Sequence, residues 1–127
     1  MQDKHLFEYA VIRVVPLAHR EEFLNVGVVL YCAKQKFLQV KFELSEHRLH
    51  AFAPQLDIPE VREYLTSFSD ICKGTGISPI SKLTTPERFR WLTATRSTVV
   101  QTSKVHPGFC INGLDTLAHL FSQLVLQ

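Results

Sequence analysis

The sequence predicts an α+β fold, with a three- to four-stranded, mainly antiparallel sheet packed in two layers against amphipathic helices. Three observations carry that expectation. Residues 8–15 and 26–33 are nearly continuous runs of apolar β-formers. The second run is joined by a short polar link, Lys34, Gln35 and Lys36, to a segment that alternates cleanly between apolar and polar. Two later stretches, 57–73 and 112–125, repeat apolar residues at the spacing of one helix face. At 127 residues, with 46% hydrophobic and 20% charged residues and no linker or repeat, the chain reads as one domain over 1–127.

Taken in order, residues 8–15 read E-Y-A-V-I-R-V-V, a strand buried on both faces and stopped by Pro16. Arg13 shares a face with Tyr9, Val11 and Val15, and a charge there must be paired or reach a cleft. Residues 19–23, H-R-E-E-F, suggest a short charged helical turn. In the strand 26–33, Gly27 marks a bulge or a close backbone approach. The strand beyond the polar link puts Leu38, Val40 and Phe42 on the core face and Gln39 and Lys41 in water. A slip of one residue would bury Lys41 and expose Phe42, so this hairpin register is strongly specified.

A short helix over 46–53 ends before Pro54. Asp57 then caps a longer one, with Pro59 in its first turn, Glu60 at the capping-box position and Gly74 as its stop. Residues 75–83 read as loop. Thr84 or Thr85 caps a third helix carrying Phe89 and Leu92, with Trp91 near its end. Asn112-Gly113 opens the last helix, which is expected to lie with the other long helix over one face of the sheet.

The stretch 97–103 is rich in β-branched residues, yet both of its faces mix polar and apolar groups. Arg96 precedes it, while Lys104, His106 and a Pro107-Gly108 turn follow. Such a strand must hydrogen-bond its own side chains, bind something, or lie at an exposed edge. Candidate site residues cluster here and in the first segment: Arg13, Glu22 and Asn25, then Arg96, Ser97, Gln101 and His106. If the polar strand pairs beside 8–15, Arg13 and Gln101 project into the same space. Arg13, Arg96 and Gln101 would then converge on a phosphate or carboxylate. In the alternative, Arg13 pairs with Glu22 or Glu8 and the hydroxyls satisfy the sheet edge.

Other chemistries have thinner support. His106 could serve as general base to Ser97 or Ser103 in a small hydrolase, but no nucleophile elbow, phosphate loop or paired-carboxylate motif accompanies them. Arg88, Arg90, Arg96 and Lys104 with Phe89 and Trp91 could contact nucleic acid, or could be a core edge with a solvated basic flank. His47 and His50 share a helix face without an evident third ligand, so neither metal nor cofactor is expected. A net charge of +2 supplies no bulk attraction to nucleic acid. No apolar run approaches a membrane span, and the N-terminus lacks a leader's layout. Cys32, Cys72 and Cys110 are scattered and odd in number, which points to small buried thiols and a cytoplasmic home.

Two segments carry a family resemblance. Residues 9–16 and 20–30 read Y-A-V-I-R-V-V-P and R-E-E-F-L-N-V-G-V-V-L; residues 87–92 and 96–108 read E-R-F-R-W-L and R-S-T-V-V-Q-T-S-K-V-H-P-G. Together they resemble a family of small bacterial proteins described as domain of unknown function 3037. The resemblance spans nearly the whole chain and implies no catalytic residues. It does imply a partner-protein role beside kinases that resemble the persistence-toxin type. The resulting expectation is a protein-interaction or accessory module, with anion binding, nucleic-acid binding or hydrolysis as alternatives.

Overall fold

The computed structural model describes residues 3–126; Gln127 and the Met1-Gln2 start of the stretch read for a leader lie outside the described residues. The strands are β1 His5–Val14, β2 Leu24–Cys32, β3 Phe37–Phe42, β4 Val100–Thr102 and β5 His106–Cys110. The helices are α1 Glu46–Phe52, α2 Ile58–Lys73, α3 Thr85–Leu92 and α4 Gly113–Leu124. Single turns of 3-10 helix at Ala18–Arg20 and Pro79–Lys82 interrupt the connections. The first takes the place of the predicted turn at 19–23, and the second lies inside the predicted loop.

All strand pairings are antiparallel, and β1 lies at the centre of them. Its one edge takes β2, which continues into β3, while its other edge is shared end to end by β4 and β5. The β2–β3 hairpin forms as expected, with Lys36 supplying the left-handed turn residue at φ 51°. Leu38, Val40 and Phe42 pack on the core while Gln39 and Lys41 stay exposed. A bulge interrupts the β1–β2 ladder where Ile12 faces Gly27 but Arg13 faces Asn25, leaving Val26 as the extra residue. Gly27 is needed there because a Cβ would lie 2.7 Å from the Phe42 Cβ and 2.8 Å from the Lys41 carbonyl.

The α+β class holds, with a fifth strand and a different distribution of helices. Ala10, Ile12, Val14 and Val29 face α2 and α3 through Val61, Leu65, Phe89 and Leu92. Phe7, Val28, Leu30 and Cys32 face the other way, onto Leu117, Phe121 and Val125 of the α4 region. The two long helices therefore cover opposite faces rather than one. The physical reason is in the strands: β1 and β2 are apolar on both sides, so a single helical layer would leave half of them in water.

The polar stretch is also reorganised. Only Val100–Thr102 is strand, and the Pro107-Gly108 pair lies inside β5 instead of forming a turn. Proline is tolerated because β5 is an outer strand, where a missing N–H removes no ladder bond. Gly108 lets the Phe7 ring lie across it, since a Cβ would stand 2.6 Å from the Phe7 Cζ. Between β4 and β5, Ser103 keeps β1 satisfied: its Oγ accepts the Val11 N–H at 2.9 Å and donates to the Lys104 carbonyl at 2.9 Å. Its own N–H donates to the Val11 carbonyl at 2.8 Å. A buried serine thus replaces the backbone acceptor that the strand break removes.

Helix ends follow their sequence signals. Asp57 accepts the Glu60 N–H, Thr84 and Glu87 form a capping box, and Asn112 accepts the Asp115 N–H. Gln35 in the β2–β3 turn then holds the start of α4, accepting from the Gly113 N–H at 2.8 Å and donating to the Ile111 carbonyl at 2.7 Å.

Candidate functional site

The candidate residues divide between the two faces of the sheet. Arg13 is the penultimate residue of β1, between Asn25 of β2 and Gln101 of β4, so the three form a row across the sheet. Because Ile12, Val14 and Val100 fill the α2–α3 side, this row occupies the α4 side. The Phe23 ring covers the Arg13 guanidinium at 4.0 Å from its centroid. Asn25 donates to the Leu124 carbonyl at 3.1 Å, and Gln101 to the Thr98 carbonyl at 2.9 Å. The Arg13 Nε and the Asn25 Oδ1 are both buried and without a partner among the described residues.

Neither acid proposed for Arg13 meets it. Glu22 pairs instead with Arg20, and both are exposed. That contact raises the Arg20 pKa and lowers the Glu22 pKa, chiefly through the hydrogen bond they share. Glu22 lines a separate pocket of about 210 Å³ with Pro16, Leu17, Phe52 and Ala53. Glu8 faces Tyr31, which packs on the opposite core.

His106 shares the Arg13 face but lies opposite Tyr9, four residues back along β1, where the rings stack at 5.3 Å. Its proposed nucleophiles are elsewhere. Ser103 has its hydroxyl committed to backbone on both sides, and Ser97 is an exposed loop residue.

Arg96 does not converge with Arg13. It packs over the Trp91 ring at 4.0 Å and donates to the Leu92 carbonyl at 3.4 Å and to the Trp91 carbonyl. These bonds satisfy the last carbonyls of α3, and partial burial draws its pKa down. The expected joint site of two arginines is therefore absent, because the sheet and its apolar side chains stand between them.

Around Arg96 the surface opens into a cleft of about 110 Å³ lined by Tyr64, Ser67, Phe68, Ile71, Trp91, Thr98 and Val100. Tyr64 and Trp91 are 40% and 39% exposed, high for large aromatics flanking a core. Sequence reasoning missed this cleft. Tyr64, Phe68 and Ile71 read as the apolar stripe of α2, and nothing in their spacing tells which of them stays open once α3 docks. Phe23 was missed for a similar reason, since its contact with Arg13 spans the β1–β2 connection.

Remaining chemistry-bearing groups are quiet. All three thiols are free and buried, and burial pushes Cys72 up to about 12. Among the described residues no three His, Cys, Asp or Glu side chains gather as metal ligands, and no helix is long and apolar enough to cross a membrane. No curated protein and no solved structure matches the chain. A family model does match, over residues 9–125, and that span takes in Arg13, Asn25, Gln101, the Trp91 cleft and nearly the whole fold. The chain belongs to the protein family of unknown function DUF3037.

Proposed function

We propose that this chain is a protein-interaction module whose partner seats on the cleft between α2, α3 and β4. The observation that supports this reading is the cleft's make-up. Two partly exposed aromatics, Tyr64 and Trp91, flank an apolar floor of Phe68, Ile71 and Val100, with Arg96 at the side. Trp and Tyr are among the residue types that supply most binding energy at protein interfaces. A volume of about 110 Å³ suits one inserted side chain, whereas sites for drug-sized ligands run from roughly 300 Å³ upward.

The partner class comes from the family resemblance: a kinase of the persistence-toxin type, met in a bacterial cytoplasm. Co-purification of the tagged chain with such a kinase tests it. Trp91→Ala and Tyr64→Ala are each expected to weaken capture by about tenfold or more, as hot-spot truncations do, with little change in Tm. Undiminished capture by both variants would reject the cleft, and no capture by the intact chain would reject the kinase.

A further inference from the structure

We infer that Arg13 is a binding site for a single carboxylate, on the face of the sheet opposite the Trp91 cleft. The inference stands apart from the interaction reading and needs no kinase.

Its starting point is an arginine without an anion. Arg13 is partly buried mid-sheet, and no acid among the described residues lies within ion-pairing distance of it. Its Nε is buried and unpartnered. A charge withdrawn from water in this way needs compensation, and Phe23 supplies part of it through its ring face. Arg88 offers a useful contrast. Its Nε is also buried and unpartnered, but its guanidinium lies against Gly74, at the carbonyl end of α2, and donates to the Thr85 hydroxyl at 3.1 Å. The negative end of a helix dipole faces Arg88. Arg13 donates to no acceptor among the described residues, and the C-terminus of α4 reaches its row only through the bond that Leu124 accepts from Asn25.

The neighbours of Arg13 are held in place. Asn25 is fixed by its bond to the Leu124 carbonyl and Gln101 by its bond to the Thr98 carbonyl. Each side-chain amide has one N–H committed and is thereby fixed in orientation, so the charge that attracts a ligand is that of the guanidinium fork. The ligand's charge follows from the surroundings. A phosphate dianion calls for several cations or a helix N-terminus. Here the adjoining helix end is the C-terminus of α4, whose Leu124 carbonyl accepts from Asn25, and the Asn25 Oδ1 adds an acceptor without a partner among the described residues. Both repel anions in proportion to charge, so they penalise a dianion about twice as much as a monoanionic carboxylate. A planar carboxylate matches one guanidinium edge and leaves the Phe23 stack intact.

The test follows the Arg13 Nε–H resonance of the full-length protein, and the backbone amide resonances of the flanking Asn25 and Gln101 that persist in every variant, by NMR at constant ionic strength. Three probes are added separately: N-acetylglycine for a chain terminus, N-acetylaspartate amide for a side chain, and inorganic phosphate. A saturable shift with at least one carboxylate, weakened about tenfold or more in Arg13→Met and unchanged in Arg96→Met, supports the site. Comparison of the two carboxylates then identifies the source. Phosphate binding more tightly than either carboxylate would overturn the inference, as would the absence of any saturable shift. Should Arg13→Met fail to fold, Arg13→Lys keeps the charge and loses the fork, and a carboxylate affinity equal to wild type would likewise overturn it.

Discussion

Arg13 and Arg96 are the same residue type, each stacked on an aromatic ring at 4.0 Å, on opposite faces of one sheet. They differ in where their N–H groups go. Arg96 gives its terminal nitrogens to the carbonyls that close α3, and so serves the fold. Arg13 gives none to any described backbone group and keeps a buried, unmatched Nε. The lesson is that an aromatic contact does not distinguish a structural arginine from a binding one. The disposition of its donors does.

The largest effect that separates the two regions is expected at Gly27, which makes the bulge that sets Arg13 opposite Asn25. Gly27→Ala drives a Cβ against Phe42 and the Lys41 backbone, and overpacking of this kind costs about 2–3 kcal/mol. Urea unfolding would measure the loss, and the Arg13 Nε resonance should move while that of Arg96 stays. Equal movement of both would show that the two faces are coupled.

A smaller effect compares the arginines directly. Arg96→Met removes two bonds from a charged donor at a partly exposed site, which puts the expected loss at about 1–2 kcal/mol. Arg13→Met removes an unmatched buried donor and should stay within about 0.5 kcal/mol of wild type. Parallel unfolding curves decide between them, and equal losses would erase the distinction between a fold-serving and a free arginine.

The smallest expected effect concerns the rings. Double-mutant cycles of Arg13 with Phe23→Leu and of Arg96 with Trp91→Leu should each return a coupling of about 0.5–1 kcal/mol. A coupling near zero for Arg13 and Phe23 would mean that the guanidinium is held by solvent alone.

Much of this molecule was legible before its coordinates. The β2–β3 hairpin followed from alternation at Leu38, Val40 and Phe42, and the helix starts followed from Asp57, Thr84 and Asn112, since pleat and cap are set by neighbours in the chain. The pairing of Arg13 with Gln101 was reachable once the polar stretch was placed beside β1. The sequence by itself therefore determined the α+β class, the faces of the hairpin, the caps and the residue types from which a site could be built. Only the tertiary structure decided that α4 crosses to the far face, that Ser103 bridges a broken strand, and that Arg13 and Arg96 never meet. The reason is the range of the deciding contacts. Val11 and Ser103 are 92 residues apart, and Asn25 and Leu124 are 99 apart, so no local period records their encounter. An arginine's partner is chosen by whichever strand and helix end arrive beside it, and that choice is made by the closing of the whole core.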